Sequence, residues 1–184
     1  MLKPEKLLSI PMGIKIGKNC FIAKTAVLIG DIEIGDNVGI FDNTVLRGDL
    51  NKIKVGDGSN IQDNCTFHTE LNHSTIIGKG VSVGHNAVVH GAELKDDIIV
   101  GMGSIVMNGA RIESGCVIAA GTVVTENFNC EENSLVAGVP GKIKRTGDQS
   151  LREYARANAA SYHRLREKHL MGEFERKTGS ELNL

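Results

Sequence analysis

The chain has 184 residues, 41% of them apolar, 23% charged and 4% aromatic, with a formal net charge of −1. So even a balance excludes a basic field for grasping nucleic acid, and no apolar stretch reaches the 18 residues of a membrane span. The opening Met1–Pro11 has neither the apolar run nor the cleavage site of a secretory signal, so a cytoplasmic setting is expected. Glycine is abundant, at 22 residues against 3 prolines and no tryptophan, and it recurs throughout the chain. A core built without aromatics must use Ile, Val and Leu, and the spread of glycine suggests a repeat.

The repeat has a period of six. From Ile16 the ladder runs Ile22, Leu28, Ile34, Ile40 and Leu46, then, after a short insertion, Val55, Ile61 and Phe67. It resumes at Ile77, Val83 and Val89, shortens by one to Leu94, and continues through Val100, Val106, Ile112, Ile118 and Val124. Four residues past each rung the side chain is usually small or β-branched, including Cys20, Cys65 and Cys116, which read as core filler. The residue directly after a rung is often glycine, as at Gly17, Gly35, Gly56, Gly78, Gly84 and Gly101. Each hexad is then a short strand and a turn, with the rung pointing inward. A single hexad cannot bury its apolar face, so hexads must stack.

This pattern resembles the hexapeptide-repeat proteins. The resemblance implies a mainly β fold, a left-handed parallel β-helix of three hexads per coil and about six coils, over residues 10–140. The ladder ends at Val124, with Cys130 beyond it, and Ser134–Arg145 resembles the exit segment of such solenoids. A capping box from Ser150 to Glu153 opens a C-terminal amphipathic α-helix within 148–172, packed on the solenoid or on a neighbouring chain. The last dozen residues read as frayed.

Three histidines fall inside the ladder. With three hexads per coil, Leu46, Phe67 and Val89 share a column, which places Arg47, His68 and His90 together on one outward face. Coils about 4.8 Å apart allow two imidazoles to converge on one ion. His85 belongs to the next column, above Asp63 and Asp42, and should point away from the pair of its own chain. Three chains around a threefold axis would bring His85 to a neighbour's pair. Such a site holds three imidazoles and one open position, the pattern of catalytic zinc, although imidazole also suits Fe2+ or Co2+.

Arg47-Gly-Asp49, Asn60-Ile-Gln-Asp63, His68, Val83-Gly-His85-Asn-Ala-Val-Val-His90-Gly91 and Val100-Gly-Met-Gly resemble the γ-class carbonic anhydrases over roughly residues 10–170. The resemblance implies a homotrimer with Zn2+ between subunits, hydrating CO2 to bicarbonate. It makes His68, His85 and His90 the metal ligands. Gln62 would orient the bound hydroxide with support from Asn60, while Arg47 and Asp49 would pair across subunits. Asp63 would lie near the pocket, and Tyr162 would approach from the terminal helix. Two departures stand out: Leu50 follows the Arg-Gly-Asp triplet where an acidic residue is usual, and the loop Thr69–Thr75 is short. Glu70 or His73 on that loop could relay protons. The alternatives are an acyl-CoA thioesterase or acyltransferase of the hexapeptide family, and a non-catalytic metal-binding trimer.

Overall fold

A computed structural model describes residues 13–181. The opening Met1–Pro11 and the first residues of the 10–140 span lie outside the described residues. From Ile14 onward, short parallel strands coil into a left-handed β-helix of about seven turns, closed by one long helix. Three columns of rungs fill its interior. One runs Leu28, Leu46, Phe67, Val89, Val106 and Val124. A second runs Ile16, Ile34, Val55, Ile77, Leu94, Ile112 and Cys130. The third runs Ile22, Ile40, Ile61, Val83, Val100, Ile118 and Val136.

The ladder therefore extends past Val124 through Cys130 and Val136, and the six expected coils become about seven. Cys130 is a rung in its own right, 3% exposed, because a thiol packs inward as a small apolar group. All four cysteines are free thiols.

Sequence and corner geometry agree. Asn43, Asn64 and Asn86 stack with φ of 57°, 61° and 60°, the left-handed conformation that Asn tolerates through local hydrogen bonding. Gly56 serves a different need. A Cβ there would sit 2.5 Å from the carbonyl oxygen of Gly78, so the coils approach this closely only with glycine.

The parallel stack ends where Lys142–Arg145 turns back antiparallel to Leu135–Ala137. The helix Gln149–Leu170 follows, and Asp148 caps it by accepting from the Ser150 amide. The cap thus lies two residues before the expected Ser150, since a carboxylate at Asp148 reaches the first free amides directly. Leu151, Ala155 and Ala159 recur every four residues and are buried against the third column's strands. The described part of the tail makes specific contacts. Phe174 packs against His169 in a tilted arrangement with ring centroids 4.7 Å apart, and Arg176 pairs with both carboxylate oxygens of Asp42. No described helix is long and apolar enough to cross a membrane.

Candidate metal centre

Strands Val45–Val55, Thr66–His68 and Val88–His90 lie side by side with Arg47, His68 and His90 in register. Because these residues directly follow inward rungs, their side chains all leave the solenoid on one face. His68 Nδ1 stands 2.9 Å from His90 Nε2. The other nitrogen of each ring meets an oxygen. His68 Nε2 lies 2.9 Å from Asp49 Oδ1, and His90 Nδ1 lies 2.5 Å from Asn108 Oδ1.

Within one chain Arg47 Nη1 donates to Asp49 Oδ2 at 2.6 Å. Partial burial pushes the Asp49 carboxyl up, but hydrogen bonds from Arg47 and His68 outweigh it and hold the group below the usual carboxylate range. Asp49 therefore stays an anion that accepts from His68.

A second cluster lies around the corner, under the helix. His85 Nδ1 is 2.9 Å from Asp63 Oδ2, and Asp63 Oδ1 accepts from the Asp42 amide one coil below. His85 Nε2 faces the Tyr162 hydroxyl at 3.4 Å. Burial raises the Tyr162 phenol above its ordinary value and nearby Asp63 adds to this, so the hydroxyl keeps its proton. The ring of Tyr162 meets Phe41 edge-on, at 5.7 Å between centroids.

Two buried amides set the floor. Asn60 Nδ2 donates to Ser82 Oγ at 2.8 Å, and Gln62 Nε2 donates to Asn60 Oδ1 at 3.1 Å. With Nε2 turned toward Asn60, Gln62 presents Oε1 as an acceptor. Gln62, His85, Met102, Tyr154, Asn158 and Tyr162 line a cavity of about 380 Å³ between helix and solenoid.

Arg47, Asp49, His68 and His90 are thus brought together, as are Asn60, Gln62, Asp63, His85 and Tyr162, in two separate clusters. Among the described residues no three His, Cys, Asp or Glu side chains of one chain converge on a common point. The donor chemistry nevertheless fits a divalent cation. Each of the three imidazoles has one nitrogen held by an oxygen acceptor, which leaves the opposite nitrogen with a bare lone pair in the neutral ring. Asn108 was not singled out in the sequence, because it belongs to a later hexad and carries no motif.

The repeat and the winding define a hexapeptide-repeat β-helix protein. The family described as "Hexapeptide repeat of succinyl-transferase" matches residues 13–46, 74–108 and 104–126. A probable carbonic anhydrase of Methanocaldococcus jannaschii is 49% identical over 83% of this chain and 96% of its own. The mitochondrial γ carbonic anhydrase 2 of Arabidopsis thaliana is 37% identical over 84% of this chain, which spans 58% of that protein. Among solved structures, a hexapeptide transferase family protein from Anaplasma phagocytophilum superposes with a TM-score of 0.73 at 37% identity. That match covers 84% of this chain and 96% of the other. The chain belongs to the γ-class carbonic anhydrase-like family of left-handed β-helix proteins.

Proposed function

We propose that the protein is a homotrimeric, metal-dependent carbonic anhydrase that hydrates CO2 to bicarbonate. His68 and His90 of one chain and His85 of a neighbouring chain would hold the ion, Zn2+ first, with Fe2+ or Co2+ compatible with the same imidazoles. The observation that carries the reading is the facing pair: two imidazole nitrogens 2.9 Å apart, each ring oriented from behind by Asp49 or Asn108. The surface beside the pair supports assembly. Val27, Val45, Thr66, Val88, Ile105 and Val123 form an outward column next to it, with Val27 45% and Ile105 40% exposed. An apolar stripe flanking half a polar site suits a second copy of the same chain. The four free thiols are in keeping with the cytoplasm.

When bound, the cation supplies the Lewis acidity that makes a hydroxide nucleophile from water near neutral pH. The chain's residues do the rest. Gln62 Oε1 would accept the hydrogen of a hydroxide and so turn its oxygen lone pair toward CO2; Asn60 and Ser82 hold that amide in place. Hydration would add water's oxygen to the carbon of CO2 to give bicarbonate, and the other proton of that water would pass to buffer. Asp63 fixes the His85 ring, Arg47 fixes Asp49, and Tyr162 closes the cavity on the helix side. Stopped-flow CO2 hydration on protein of known metal content, beside His68→Ala, tests this reading. Metal-dependent hydration that the substitution abolishes is expected; a metal-loaded trimer without hydration contradicts it.

A second reading is favoured by the cavity itself, since about 380 Å³ lined by Ile99, Val117 and Met102 exceeds what CO2 needs. The Anaplasma relative is named a transferase, and acyl-ester chemistry at His85 suits such a space. Acyl-CoA turnover that persists after metal removal would favour that reading. Metal binding with neither activity would leave a non-catalytic trimer.

A further inference from the structure

Asn108 follows the strand Ile105–Val106, one coil above His90, and its Oδ1 lies 2.5 Å from His90 Nδ1. The repeat does not require an amide there: Thr69, Gly91 and Glu126 occupy the equivalent place in neighbouring coils. The space it uses is provided by Gly91. That residue has φ of +57°, and a Cβ on it would stand 2.7 Å from Asn108 Oδ1 and 2.9 Å from His73 Cβ. Nor can the Gly91 backbone retreat, because its amide is held by the His68 carbonyl at 3.1 Å and by Thr75 Oγ1 at 2.9 Å.

The amide decides which His90 tautomer the site presents. His68 Nε2 faces a carboxylate, which only accepts, so that nitrogen carries the hydrogen and Nδ1 is bare. An oxygen from Asn108 does the same to His90, placing the hydrogen on Nδ1 and leaving Nε2 bare. Two lone pairs then face each other across 2.9 Å, an arrangement that calls for a cation. The reverse tautomer would place a hydrogen on Nε2, bond the two rings together and close the site. We propose that Asn108, admitted by Gly91, is a positioning residue that fixes His90 in its metal-receptive tautomer and thereby sets metal affinity. The inference rests on the metal reading above.

The test is titration of the purified full-length protein with Co2+ against a competing chelator, read by the visible spectrum of the bound ion. Asn108→Leu keeps the volume and removes the acceptor, whereas Asn108→Asp keeps an acceptor and has no amide nitrogen. The Leu variant should bind about 10–100-fold more weakly with altered bands, and the Asp variant should stay within about threefold of wild type with bands unchanged. Thermal unfolding of the metal-free proteins checks that all three are folded. Wild-type affinity and spectrum in the Leu variant would overturn the proposal. So would an Asp variant as weak as the Leu one, a comparison that holds even if the Leu variant fails to fold. A wild-type protein that takes up no Co2+ would overturn the metal reading and this inference with it, and is told apart from the other outcomes by the wild-type titration alone.

Discussion

Asp63 reaches up one coil and holds Nδ1 of His85 at 2.9 Å, turning the opposite nitrogen toward the space beside Tyr162. A ring held this way has a fixed tautomer and orientation before any ligand arrives. Asp63→Leu should lower metal affinity about 10–100-fold while the protein stays folded. Metal content after dialysis against a chelator measures it, and unchanged retention would show that His85 needs no such support.

Stability should follow the inner columns. Phe67 is fully buried between Leu46 and Val89, so Phe67→Ala should cost about 3–5 kcal/mol. Ile16 is also a rung, but it lies in the first described coil and is 49% exposed. Ile16→Ala should therefore cost no more than about 1 kcal/mol. Urea unfolding of the metal-free proteins compares the two, and equal costs would contradict the burial argument.

The tail gives a pH dependence with a definite sign. Arg176 holds the Asp42 carboxyl below its ordinary 3.8, with burial opposing and Thr25 assisting. Because the folded value is lowered, the docking energy is complete above pH 3.8 and is lost as pH falls through the lowered value. Hydrogen exchange over 173–181 should accelerate in wild type only below that point, and in Asp42→Asn at neutral pH as well. Identical exchange in the two proteins at neutral pH would mean that the pair does not hold the tail.

The loop Thr69–Thr75 is the candidate route by which the proton would reach buffer, and Asn51 stitches it to the wall through the Leu71 carbonyl at 3.1 Å and Ser74 Oγ at 2.8 Å. If Glu70 or His73 relays the proton, substitution by Ala should slow hydration in dilute buffer and recover in concentrated buffer. Equal loss at both buffer strengths, or none at either, would place the proton route elsewhere.

The rungs were legible because every rung of a hexad faces inward, and the resemblance to hexapeptide-repeat proteins, with its three hexads per coil, sorts them into columns. Placing His68 beside His90 and Asp63 beneath His85 needed only the count of three hexads per coil. What escaped had no periodic signature. Cys130 was passed over as a rung because cysteine is not an obvious aliphatic, although it stands six residues after Val124. Asp148 displaced Ser150 as the helix cap because both residue types suit that role and only the chain path chooses between them. Arg176 finds Asp42 across 134 positions, a separation that no local pattern reveals. Asn108 acts through an amide oxygen on a ring one coil away, and a lone asparagine gives no signal of that.

The shared site is tested most directly by complementation between chains. His68→Ala and His85→Ala proteins, each prepared alone, should form assemblies with every metal site incomplete. Refolded together, mixed trimers should regain complete sites wherever an intact His68/His90 pair meets an intact His85, and metal binding and CO2 hydration should return with them. Failure of the mixture to recover either property, while each variant still assembles, would contradict a centre built from two chains.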